Sequence, residues 1–199
     1  MATATFSEHS HTYKVDGEVI PSVTQVLTLA GISDVSGIPA HILQRASEIG
    51  TAVHLATELL DKDDLDLDSL DPQIVGYVTA YQRFKEESGV TYELIEHRTT
   101  AEYCGIRYGM CVDRVGAIGG KMAVFDIKTS SKPQASWKIQ TAAYTHGLGD
   151  ADTFERRIVH LCKDGSYKQI CYDDPNDHTA WGAALVVAQW RLQNGAKIR

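Results

Sequence analysis

Cysteine is scarce and poorly spaced for structural duty. Cys104, Cys111, Cys162 and Cys171 form no CxxC pair, which gives little support to a zinc ribbon or a disulfide scaffold. Reduced thiols in or near the core are the expectation. Long apolar runs are also missing: nothing approaches the ~20 consecutive apolar residues that span a bilayer. The opening MATATFSEHSHTYKV has neither a basic segment nor an apolar one, so it does not read as a secretory leader. A cytoplasmic chain without a membrane partner is expected. There is no excess of basic residues, since 19 Lys and Arg stand against 26 Asp and Glu for a net charge of -7. That excludes a polybasic coat for nucleic acid but not an enzyme with a local basic groove. No Walker A GxxxxGK[ST], GxSxG elbow or HExxH occurs, so nucleotide binding, serine hydrolysis of the elbow type and zincin chemistry lack their signatures.

What is present suffices for one sizeable core. With 43% hydrophobic and 23% charged residues in 199, the chain is too apolar to be wholly disordered. No repeat, low-complexity tract or linker marks a boundary. A single domain over 1–199 is expected, with 1–38 as an N-terminal hairpin and short helix and 39–199 as the main body. The negative charge is concentrated in 58–71, where seven acids accompany only Lys62. This stretch reads as a solvated loop over 61–71, and the chain after residue 120 is net basic.

Local patterns place the elements. Asp16-Gly17 is a turn signal between extended runs at 11–15 and 18–20. Ser22 is a plausible N-cap of a short helix that Gly31 ends. Helix 39–60 carries one apolar stripe of Ile42, Ala46, Ile49, Val53, Ala56 and Leu60. A further helix follows Asp71-Pro72 and stops at Ser88-Gly89. Extended segments are expected at 90–99, 104–116 and 121–129, a helix at 134–147, strands at 153–162 and 166–172, and a last helix at 177–193. This order predicts an α/β (α+β) chain whose central mixed sheet is flanked by helices.

The chemistry concentrates in GMCVDRVGAIGGKMAVFDIKTSS. Alternation puts Asp126 and Lys128 on one face of their strand, and a hairpin brings Asp113 alongside. Two carboxylates and an ammonium on adjacent strands suit metal-assisted phosphodiester hydrolysis, whereas a surface Asp–Lys pair beside an unrelated Asp is the plainer alternative. Gly50, His54 and Glu58 fall on one helical line flanking the apolar stripe. His54 is either a metal ligand or a border histidine with a local hydrogen bond, and Gly50 would permit close approach of backbone or substrate. In helix 134–147, Gln140 and Tyr144 lie one turn apart, an amide and a phenol for a phosphate or base. Trp137 on the same side suits the core equally well.

Together these segments resemble the PD-(D/E)xK nuclease superfamily, in its RecB-like and phage-type exonuclease branch. The resemblance is carried, in order, by GTAVH (50–54), Glu96, GMCVDRV (109–115), FDIKTS (125–130) and QTAAY (140–144). HTYKVDGEVIPSVTQVL also resembles the start of small phage-type members. The proline of the family name is absent, because Val112 precedes Asp113. The resemblance implies a restriction-endonuclease-like core. It also implies one or two Mg²⁺ or Mn²⁺ ions on His54, Asp113, Asp126 and the Ile127 carbonyl, with Lys128 catalytic. Gln140 and Tyr144 would position the scissile phosphate, and Glu96 occupies a place where some relatives keep an acid. Iron–sulfur members have a cysteine upstream of the nuclease core and three clustered downstream. Here none precedes His54, so no iron–sulfur cluster is expected.

The implied substrate is DNA, single- or double-stranded, in a bacterial or phage-infected cell. A recombinase, helicase or single-strand annealing partner would be a separate chain. Arg45, Lys132 and Lys138, with Ser130, are candidates for phosphate grip. Ser22 and Thr24 could serve the same purpose from a flap, or simply act in the turn and cap. Exonuclease action is expected; a structure-selective endonuclease and a catalytically silent nucleic-acid-binding module are the alternatives. No segment indicates an oligomeric state.

Overall fold

The computed structural model describes residues 3–7, 12–34, 36–149, 151 and 153–198. Strands β1 (Ala4–Ser7), β2 (Thr12–Val15) and β3 (Glu18–Ile20) form a small antiparallel sheet. Val15 faces Glu18 across the turn, where Asp16 and Gly17 both adopt positive φ (54° and 86°) as a two-residue hairpin requires. His11, expected at the start of this hairpin, lies outside the described residues. The extra strand β1 was not foreseen, because ATFS is too short to show a period.

Helix α1 (Val23–Leu29) follows. Ser22 and Gln25 close a reciprocal capping box, the Ser22 hydroxyl accepting from the Gln25 amide and the Gln25 side chain accepting from the Ser22 amide. Helices α2 (Ala40–Asp61) and α3 (Val75–Ser88) come next, and Gly89 ends α3 in the left-handed conformation. The central sheet then begins with β4 (Thr91–Tyr103), β5 (Ile106–Ile118) and β6 (Lys121–Lys128). Helix α4 (Ser136–Gly147) carries the chain across to β7 (Glu155–Leu161), and β8 (Tyr167–Tyr172) and α5 (Asn176–Gln193) complete it.

The five strands lie in the order β4-β5-β6-β7-β8, all neighbours antiparallel except the parallel pair β6/β7. This is the mixed sheet expected from the element order. Helices cover both faces. On one, Tyr108, Met110, Val112 and Val124 pack with α1, α4 and α5 around Trp181; on the other, Ala123, Phe125 and Ile127 pack with α2 and α3 around Tyr81 and Phe84. No helix among the described residues is long and apolar enough to cross a membrane.

Four local expectations need correction. The stripe on α2 is not buried along its length: Ile42 is 49% exposed and Ala46 is exposed, and burial starts only at Ile49 and Val53. The first turns of α2 contribute nothing to the core, so the periodicity there does not mark a buried face. Asp61 ends α2 with its side chain buried and ion-paired, instead of opening the solvated loop. Cys104 does not begin a strand. It shares a two-residue turn with Gly105, both at positive φ (52° and 71°), so β4 is longer than expected. Finally, all four thiols are free, but Cys104 and Cys171 are exposed.

Candidate metal centre

The site forms where the central sheet opens. β5 and β6 pair from Ile118↔Lys121 to Arg114↔Phe125, and the ladder stops just before Asp113 and Asp126 would meet. Val112 and Val115 pack into the same core although three residues apart, so the two-residue alternation slips at Asp113-Arg114. In place of a ladder bond, the Ile127 amide donates to Asp113 Oδ2 at 2.7 Å. On the neighbouring strand Glu96 adopts φ 47°, unusual for a residue with a side chain.

These irregularities bring three groups together. His54 on α2, Glu96 on β4 and Asp113 on β5 each offer a ligand atom, all within 4.8 Å of one another. His54 Nδ1 lies 3.7 Å from Glu96 Oε1 and 3.6 Å from Asp113 Oδ2. Its Nε2 is 3.1 Å from the Ile127 carbonyl. With Nε2–H donating there, the neutral ring turns the Nδ1 lone pair toward the two carboxylates, which is the tautomer a metal ligand needs. The donor set therefore fits a divalent cation, with two carboxylates supplying hard oxygens and imidazole favouring a transition metal. Without a cation the ring takes up a proton. Burial opposes its charge, but Asp113 and Glu96 outweigh burial and raise its pKa to about 9. Burial lifts the Asp113 carboxyl to about 6 despite the opposing pull of His54. Glu96 is also penalised by burial, yet the nearby His54 and Arg114 leave its pKa lowered.

Asp126 stands beside this trio and not within it. Its Oδ2 lies 2.6 Å from Lys128 Nζ, so the face shared by Asp126 and Lys128 is realised as an ion pair. From α4, Gln140 Nε2 donates to the Tyr144 hydroxyl at 2.7 Å. Burial, with Asp126 and Asp113 adding to it, keeps the Tyr144 phenol protonated. Tyr144 and Asp113 line the same cleft, as do Ser22 and Thr24. Trp137 is a core residue, edge-on to His160 at 5.4 Å.

The other expected residues are dispersed. Arg45 reaches Gln73 at 2.9 Å on the exposed side of α2. Lys138 is drawn toward α5 by Asp177 at 3.3 Å. Lys132 is exposed, and the Ser130 hydroxyl donates to its carbonyl. Glu58 pairs with Lys62 one turn on. The nearest atom to a Cβ at Gly50 would be Thr129 Oγ1 at 3.8 Å, an ordinary contact, so no close approach requires that glycine.

Arg114 and Asp61 were missed. Arg114 is fully buried; it bonds Asp61 Oδ2 at 2.6 Å, Glu96 Oε1 at 3.1 Å, the Asp113 carbonyl at 2.6 Å and Thr57 Oγ1 at 3.3 Å. Lys85 reaches the other Asp61 oxygen at 2.7 Å. The guanidinium thus ties α2 to β4 and β5 directly beneath the trio and holds the Glu96 carboxylate in place. A charged pair in the middle of the apolar run CVDRVGAI was the available signal.

No family model and no curated protein matches the chain. Among solved structures, one from Eubacterium rectale, described as a putative exonuclease, is similar with a TM-score of 0.56 and 14% identity. The match covers 88% of this chain and 79% of that one. SSO0001 is a more distant likeness, with a TM-score of 0.40 and 17% identity over 62% of this chain and 59% of that chain. At such identities the first likeness is one of fold alone.

Proposed function

We propose that the chain is a metal-dependent deoxyribonuclease of the PD-(D/E)xK kind, in the RecB-like, phage-type branch, acting as an exonuclease. The observation that carries this reading is the convergence of His54, Glu96 and Asp113 at the open end of the sheet, beside the Lys128–Asp126 pair. Glu96 joins His54 and Asp113 as a ligand, with Asp126 adjacent. A divalent cation bound there supplies Lewis acidity to a phosphate oxygen and lowers the pKa of a bound water.

The chain's own groups do the rest. His54, oriented by the Ile127 carbonyl, and Asp113, oriented by the Ile127 amide, hold the cation. Lys128 orients the attacking water and offsets negative charge that develops on the phosphate. Tyr144 and Gln140, already bonded to each other, present one preorganised polar edge to the strand. The exonuclease mode is supported by the branch resemblance. A recombinase, helicase or annealing protein would act as a separate chain.

End-labelled linear DNA and closed circular DNA, incubated with Mg²⁺, Mn²⁺ or EDTA, test the reading. Loss of the linear form alone, in either metal and more strongly in Mn²⁺, is expected. Cutting of the circle would replace exonuclease with endonuclease. Gel retardation without loss in any metal would replace the enzyme with a binding module.

A further inference from the structure

One buried histidine has no part in the site described above. β7 reads ERRIVHL, and His160 near its end is only 4% exposed. An imidazole buried between Val159 and Leu161 is costly unless its nitrogens are satisfied. Nε2 lies 2.6 Å from the Ser130 carbonyl and, because a carbonyl only accepts, carries the hydrogen. Nδ1 finds no hydrogen-bond partner among the described residues. A leucine would carry no such cost, so the bond to Ser130 is what the histidine adds. Val159 and Leu161 pack with Ile127 toward α2 and α3, which turns His160 to the α4 side together with its register partner Lys128. Trp137 on α4 closes over the ring, with centroids 5.4 Å apart and planes at 64°.

Lys128 sits where the sheet supports it least. The β5–β6 ladder ends at Arg114↔Phe125, so the last residues of β6 have only β7 as a strand neighbour, and Lys128↔His160 is the final pair. A strand end with one neighbour frays unless something fastens it. Here the His160 ring reaches past the final pair and takes the carbonyl two residues beyond Lys128. The Ser130 hydroxyl then donates to the Lys132 carbonyl at 3.1 Å and tightens the exit. We infer that His160 is a positioning residue for Lys128: by holding Ser130 it fixes the end of β6 and keeps the ammonium on Asp126, at 2.6 Å. Its part in cleavage rests on the nuclease reading, whereas its hold on Lys128 does not. Ile127, one residue earlier, is pinned by Asp113 and His54, so fraying stops short of the cation ligands.

Trace labelling of the full chain with acetic anhydride, read peptide by peptide by mass spectrometry, tests that hold. In the wild type Lys128 should label slowly relative to the exposed Lys168. His160→Leu should raise Lys128 labelling severalfold and leave Lys168 unchanged. His160→Gln, whose amide nitrogen stands where Nε2 does, should restore the slow rate. His160→Asn, whose amide stops at the position of Nδ1, should behave as His160→Leu does. In DNA cleavage with Mn²⁺, the Leu and Asn variants should lose kcat roughly ten- to hundredfold with KM and Mn²⁺ affinity unchanged, and the Gln variant should recover it. Thermal melting identifies a variant that does not fold, and the Gln and Asn variants decide the matter if His160→Leu is one. Fast labelling of Lys128 in the wild type, wild-type labelling or kcat in a folded Leu or Asn variant, or equal defects in Gln and Asn, overturns the inference. If the wild type cleaves no DNA, the nuclease reading falls and labelling alone judges the hold on Lys128.

Discussion

Lys128 closes β6 with its ammonium on Asp126, so the charge is held where the strands part. Lys128→Ala should abolish DNA cleavage yet leave Mn²⁺ affinity nearly unchanged, as measured by nuclease assay and isothermal titration. Full activity in that variant would remove Lys128 from the mechanism. Arg114 has a different role. Its buried charge is balanced by Asp61 and Glu96, and removing it leaves Asp61 to Lys85 and Tyr81 and Glu96 beside His54, two buried acids short of their main counter-charge. Arg114→Met should cost about 3–5 kcal/mol of stability in urea unfolding. If stability is unchanged, the Asp61–Arg114–Glu96 link is not what fastens α2 to β4. Strand alternation and a hairpin could place Asp113, Asp126 and Lys128 near one another, whereas a metal-ligand role for His54 came only with the family resemblance. Glu96 could not be assigned, because its aim depends on a positive φ inside a strand that no propensity announces. Asp61 was hidden among six other acids, and only its burial against Arg114 distinguishes it.

At the scale of elements, close backbone approaches decide how the layers meet. A Cβ at Gly76 on α3 would fall 1.8 Å from the Lys163 carbonyl oxygen in the β7–β8 connection, with no flexible side chain to yield. Gly76→Ala should therefore push α3 off that turn and lower Tm, a change read by thermal melting; an unchanged Tm would show that the turn yields freely. Gly109 has the matching function on β5, leaving room for the Tyr13 ring. The Asp16-Gly17 hairpin and the glycine ends of α1 and α3 follow from local chemistry, whereas β5 runs to Ile118, past the 116 expected for its end, and leaves only Gly119-Gly120 for the turn to β6. The stripe on α2 misled because periodicity describes a face and not its neighbour. Only the lower half of that face meets α3 and the sheet, while Ile42 stays in solvent.

For the whole molecule, the acidic balance and the proposed cation are linked. The metal centre gathers Glu96 and Asp113, with Asp126 adjacent, against His54, Arg114 and Lys128. A cation that binds only the folded chain should stabilise it by about 2.7 kcal/mol at a hundred times its Kd, seen as a concentration-dependent rise in Tm with Mn²⁺. Asp113→Asn should abolish most of that rise, and an undiminished rise would place the cation elsewhere. The sequence by itself determined the order of elements after the N-terminal strand, most of the turns and caps, and which residues are candidates for the chemistry, because these depend on neighbours within a few positions along the chain. Tertiary structure alone decided that Glu96 joins His54 and Asp113, that Arg114 braces them from below, and that Arg45 and Lys138 turn away. Those outcomes depend on where β5 and β6 stop pairing and on which helix lies across the gap, contacts between residues dozens of positions apart that no local pattern encodes.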